Sequence, residues 1–303
     1  MTMWQRATME RPQGAWGARF QEYHLMWRAF RRDRLALISL FVVLAFVFGA
    51  IFAPWLTPYE MQGRGKPNLE EELDPPSAGH PLGTDDLGRD VLARLLFGGR
   101  PSLSIGFLVV AIAMGIGMPL GAIAGYFGGW IDQAIMRITD VFLSFPALLL
   151  AIAISAALGP SFTNAMIAIA LSWWPWYTRL ARAQAVSLKE QSFIEAARAI
   201  GARDLTTVRE HILPNVLTPC LVQATMDIGS AILMGSALSF IGLGLQPPNP
   251  DWGNMLTVAR IYFRDAPWFA VFPGLAILLV ALSFNLLGDG VRDVFDPRSR
   301  RKG

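Results

Sequence analysis

Long stretches of this chain carry no charge. Residues 35–59, 101–131, 141–178 and 266–288 contain no Asp, Glu, Lys or Arg, and 212–250 contain only Asp227. A helix of about 20 apolar residues crosses the roughly 30 Å hydrocarbon core of a bilayer. The stretch 141–178 is interrupted by the turn signal Leu158-Gly159-Pro160-Ser161 and divides in two. The pattern predicts an all-α membrane protein with six transmembrane helices, near 35–55, 103–126, 139–158, 163–180, 218–241 and 269–288. The expected organisation is a tail (1–34), a first transmembrane helix (35–55), an external loop with a short helix (56–101), a core of five transmembrane helices (102–289) holding a polar loop (181–217), and a second tail (290–303). The first span lacks a small-x-small cleavage pattern and is expected to stay as an anchor in the lipid bilayer.

Composition narrows the function. Hydrophobic residues make up 53% of the 303 residues, charged residues 16%, and the formal net charge is +3. Intrinsic disorder and a strongly basic nucleic-acid binder are both excluded. One cysteine, Cys220, and three well-separated histidines (24, 80, 211) give neither a disulfide framework nor a metal-ligand spacing. Of the 26 Lys and Arg residues, 19 fall on the side of the two tails and 7 on the other, counting Arg179 at the inner end of its span. The positive-inside bias places both termini in the cytoplasm and the acid-rich 56–101 loop outside.

Within the second span Gly117, Gly121 and Gly125 share one helix face, where another helix can approach closely. Asp227 is the one acid inside a predicted span, with Gln223 four residues earlier on the same face. Such a carboxylate faces other helices or water rather than lipid. Two readings stay open, a place in a substrate path or a hydrogen bond within the bundle. Asn285 in the sixth span is a weaker candidate for the path. No G-x-x-x-x-G-K-[ST] loop occurs, since Gly65-Lys66 is followed by Pro67, and no H-E-x-x-H occurs. The chain is therefore expected not to be an enzyme and not to hydrolyse ATP itself.

The 181–217 loop predicts a helical hairpin. Leu188, Ile194, Ala197 and Ile200 give the first helix an apolar face, and Gly201 ends it. Asp204 is expected to cap a second helix with Leu205, Val208 and Ile212 on its apolar face, and Pro214 to stop it. In the external loop, Thr84 or Asp85 is expected to cap a helix running to Phe97, with Leu87, Val91, Leu92, Leu95 and Leu96 on one face and Gly98-Gly99 as its stop. Gln246-Pro-Pro-Asn-Pro250 reads as a rigid outer turn.

Glu195-Ala196-Ala197, Gly201 and Leu213-Pro214 resemble the EAA loop of ABC-importer permeases, with His211 at the position where that family has Ile. Residues 28–37, His80-Pro-Leu-Gly-Thr-Asp85-Asp-Leu-Gly-Arg89-Asp90, Arg100-Pro-Ser-Leu, Ser239 to Pro248 with Asp251-Trp252-Gly253, and Asn285 to Asp293 resemble the oligopeptide/dipeptide (and nickel) transport family, C-type subunit. The resemblance spans residues 24–297. It implies six helices of the type-I importer architecture and a permease subunit forming half of a path for peptides or related solutes in a bacterial inner membrane. The implied partners are a homologous B-type permease, two ATP-binding subunits that hold ATP and magnesium, and an extracytoplasmic solute-binding protein. Glu195, Ala196, Ala197, Gly201, His211, Leu213 and Pro214 are the implied ATPase-coupling residues. The alternatives are a secondary transporter or a structural membrane subunit.

Overall fold

The computed structural model describes residues 30–31 and 33–295. Most of the 1–34 tail, residues 296–303 and part of the 28–37 motif lie outside the described residues. The labelled helices are α1 (Arg34–Ile51), α2 (Val91–Phe127), α3 (Gly129–Leu143), α4 (Ala147–Leu158), α5 (Phe162–Lys189), α6 (Ser192–Ala199), α7 (Leu213–Phe240), α8 (Trp252–Ala259) and α9 (Pro267–Phe295). No strand occurs among the described residues. Among the described residues four helices are long and apolar enough to cross a membrane, at Arg34–Ile51, Val91–Phe127, Asp204–Phe240 and Pro267–Val294. A fifth arises if α3 and α4, bent by 86°, count as one span.

α2 is the central member. It packs against α5, α7 and α1, and its pairing with α5 is the most extensive in the fold. The pairing follows from the glycine stripe. A Cβ on Gly117 would strike the Trp174 carbonyl oxygen, one on Gly121 that of Thr178, and one on Gly125 that of Arg182. Three consecutive turns of α2 thus lie backbone to backbone on α5. In lipid, where apolar side chains gain nothing by leaving the solvent, such close approach is what holds helices together.

Several local expectations need correction. The expected span 139–158 is not one helix: α3 ends at Leu143 and α4 begins after Pro146, because the residue before a proline is pushed out of the α region. Gly98-Gly99 does not stop a helix. α2 runs through it and through Pro101, and the two glycines make room instead, Gly98 for the backbone of Asp251 and Gly99 for the Trp252 ring. Neither Thr84 nor Asp85 caps this helix; the Asp90 carboxylate does, accepting from Ala93 N at 2.6 Å. Pro214 stops nothing. It sits in the first turn of α7, and a π-helical turn at Val208–Ile212 joins Asp204–Thr207 to it.

The seam yields a paired test. Gly121→Val should place a branched side chain against the Thr178 carbonyl, cost about 2–4 kcal/mol, and lower the thermal unfolding temperature of the detergent-purified protein. Gly115→Ala, two residues from the stripe and with open space around it, should leave that temperature unchanged or raise it slightly. Equal effects of the two substitutions would show that the seam does not set the packing.

Candidate functional site

α5 and α7, with Ala147 at the start of α4, line a half-open cavity of about 740 Å³. On α7, Gln223, Asp227 and Ser230 line it at helical spacing, so a polar stripe on a membrane-type helix faces this space. Trp173, Trp176 and Tyr177 of α5 form the opposite wall, and Arg179 lies at its edge. The Asp227 carboxylate accepts hydrogen bonds from the Tyr177 hydroxyl (2.7 Å) and from the Gln223 amide (2.9 Å). Arg179 Nη2 donates to Asp140 Oδ1 of α3 at 2.7 Å. Asp227 and Gln223 therefore meet in one site. Asn285 does not join them, because its side-chain amide turns back onto the Ala281 carbonyl of its own helix (2.9 Å). Tyr177, the two tryptophans and Arg179 escape sequence reasoning, although the aromatic run Trp173-Trp-Pro-Trp-Tyr177 in a charge-free stretch is a usable signal.

The 192–214 segment forms a second site. α6 closes in a Schellman turn, with Ala202 N donating to the Ala197 carbonyl (3.0 Å) and Gly201 N to that of Arg198 (2.9 Å). Gly201 has φ +84°, a conformation that favours glycine. Ile194 and Ala197 face inward, while Glu195 and Ala196 are exposed. Ile200 and Leu205, expected on the apolar faces, instead protrude on either side of the turn, 87% and 73% exposed. His211 is half-buried with its ring near Phe193, Ile212 beside it is fully buried, and Leu213 and Pro214 open α7. Asp204 is not a cap. Its carboxylate accepts from the hydroxyl of Tyr126, near the C-terminus of α2, at 2.7 Å. Arg198 lies over the Tyr126 ring, 4.9 Å from its centroid, and donates to the hydroxyl at 3.3 Å. The hairpin is thus pinned to the end of the central helix.

The other end of α2 is pinned as well. Asp85 is fully buried and pairs with Arg89 (2.7 Å) and with Arg94 of α2 (3.1 Å). His80 bridges Asp90 (2.9 Å) and Glu71 (3.1 Å). Ser102 of α2 donates to the Asp251 carboxylate and accepts from Trp252 N, while the Trp252 indole donates to the Leu95 carbonyl. Burial pushes the Asp251 carboxyl above the usual range, against the lowering effect of its hydrogen bonds. Asp86 is raised too, first by burial and then by the charge of neighbouring Asp85.

Comparison with known proteins agrees with this layout. Residues 117–301 match the family described as the binding-protein-dependent transport system inner membrane component. Residues 23–76 match the N-terminal transmembrane domain of oligopeptide transport permease C. The dipeptide transport system permease protein DppC of Alkalihalophilus pseudofirmus is 47% identical over 90% of this chain and 89% of its own length. The probable D,D-dipeptide transport system permease protein DdpC of Escherichia coli is 45% identical over 94% of each. The Escherichia coli glutathione transport system permease protein GsiD is 47% identical over 91% of this chain and 90% of its own. Among solved structures, a chain of the inward-facing MetNI methionine ABC transporter shares the fold, with TM-score 0.53 and 21% identity over 68% of this chain and 97% of that chain. Matched over most of its length, with a membrane-type helical bundle around a largely apolar cavity that carries a polar stripe, this chain belongs to the binding-protein-dependent transport system inner membrane component family and is a permease subunit.

Proposed function

We propose that the chain forms half of an ATP-driven import path for short peptides, with its 192–214 hairpin as the contact for an ATP-binding subunit. The observation that carries this is the protruding turn at Gly201. It sets two large apolar side chains, Ile200 and Leu205, in the open beside exposed Glu195 and Ala196. A knob of this kind suits a groove on another subunit. Tyr126 then passes its movement to α2. ATP and magnesium belong to two partner ATPase subunits, and a B-type permease and an external binding protein complete the assembly. The peptide class rests on the similarity to dipeptide and glutathione permeases.

In this reading the chain crosses the inner membrane six times with both termini in the cytoplasm. α5 supplies the remaining span, the fourth in chain order: it is less apolar than the others because three of its turns face α2 and Trp173, Trp176 and Tyr177 line the cavity. The organisation is then tail 1–34, span 35–55, external loop 56–101, core 102–289 and tail 290–303. The Asp227 and Gln223 cavity belongs to the path, whereas the geometry of Asn285 gives it no contact there. A secondary transporter or a structural membrane subunit leaves the exposed knob without a task.

Ala196→Cys, treated with a short thiol cross-linker, should join this chain to a co-purifying ATP-binding subunit, and purification without any such subunit would sink the proposal. Gly201→Val forces a branched residue to φ +84°, so it should reduce transport at least tenfold while membrane insertion persists. Tyr126→Phe keeps the ring under Arg198 but removes the hydroxyl's bonds to Asp204 and Arg198, a loss of about 1.5–3 kcal/mol. It should raise amide hydrogen exchange across 192–212 without lowering expression; unchanged exchange would remove Tyr126 from the linkage. Reporters fused after Gly303 and within 64–80 should report opposite sides of the membrane, and the same side for both would refute six spans.

A further inference from the structure

We infer that the α4–α5–α7 cavity is a transit site for a zwitterionic short peptide, with Asp227 receiving the ammonium group and Arg179 the carboxylate. The inference rests on the reading of the chain as a permease subunit. Asp227 has two hydrogen-bond partners, Tyr177 and Gln223, and both are neutral. No cation pairs with it within 4.0 Å among the described residues. A carboxylate inside a membrane bundle gains most from a positive charge it does not already have. The wall opposite is Trp173, Trp176 and Tyr177, and aromatic faces attract an ammonium group.

A simple cation does not account for the whole cavity, because Arg179 also lines it. Its guanidinium commits only Nη2, to Asp140 in a half-exposed pair, which leaves N–H groups in a fork suited to a carboxylate. A solute with charge of one sign gains at one of these groups and loses at the other, whereas one that carries both signs gains at both. The volume, about 740 Å³, lies within the roughly 300–1,000 Å³ of small-molecule sites. Release is also provided for. When the peptide leaves, Tyr177 and Gln223 remain on Asp227 and Asp140 remains on Arg179, so neither charge is orphaned. Occupancy is therefore weak and brief, as a conduction path requires.

Ser230 lines the cavity and is exposed, whereas Cys220, the only cysteine of the chain, is fully buried. Ser230→Cys thus supplies a reactive thiol inside the site. In inside-out membrane vesicles holding the assembled transporter without ATP, a maleimide probe should label it. A millimolar dipeptide with free termini should slow that labelling severalfold, and the N-acetylated dipeptide amide should not. Adding Asp227→Asn or Arg179→Gln should raise the protecting concentration about tenfold or more, the loss expected for one charged hydrogen bond. The comparison of the two solutes in Ser230→Cys alone decides the matter should either second variant fail to assemble. Equal protection by both solutes, no protection by either, or an introduced thiol that never reacts in the assembled transporter overturns the transit site. Absence of an ATP-binding subunit from the isolated complex overturns instead the permease assignment beneath it.

Discussion

The backbone-to-backbone approach of α2 and α5 sets the positions of nearly everything else. Where Gly117, Gly121 and Gly125 meet the carbonyls of Trp174, Thr178 and Arg182, the two helices are fixed in register over three turns. With that register set, α5 turns Trp173 and Trp176 to the cavity, and Tyr177, whose Cβ lies against Gly117 in the seam, reaches Asp227 with its hydroxyl. The same register brings Arg182 of α5 into a two-pronged ion pair with Asp132 of α3. A side chain of any size in the stripe would separate the helices and take the aromatic wall away from the carboxylate.

α2 carries this order to both ends of the bundle. At about 1.5 Å per residue its 37 residues span roughly 55 Å. One end is held by charges buried in the loop that precedes it, Asp85 between Arg89 and Arg94. Buried pairs of this kind add little net stability but are costly to break singly, so they fix a geometry more than they strengthen it. The other end holds the hairpin through Tyr126, Asp204 and Arg198. In the proposed assembly, this one helix would join the side where a solute-binding protein docks to the side where an ATPase pulls.

Much of this was legible in the chain. Charge-free stretches located the apolar helices, the glycine spacing announced the seam, and Gly201 marked the end of α6. Asp227 and Gln223 stood out because polarity inside an apolar helix is costly. What remained hidden has two physical sources. Local signals compete: Thr84 and Asp85 are good caps, but Asp85 is taken by two arginines and Asp90 supplies the cap. Gly98-Gly99 looks like a stop until Asp251 and Trp252 arrive from a distant part of the chain to fill the space. The second source is sequence distance. Tyr126 and Asp204 are 78 positions apart, and Tyr177 and Asp227 are 50, so no periodicity connects them. The break between α3 and α4 was written in Pro146 but masked by the apolar run around it.

The most direct measurement is solute accumulation in proteoliposomes that contain this chain with its partner permease, ATP-binding subunits and binding protein. Uptake of a dipeptide should require ATP and the binding protein and should persist when ion gradients are collapsed. Uptake driven by an imposed ion gradient without ATP would contradict the assignment of this chain as half of an ATP-driven path.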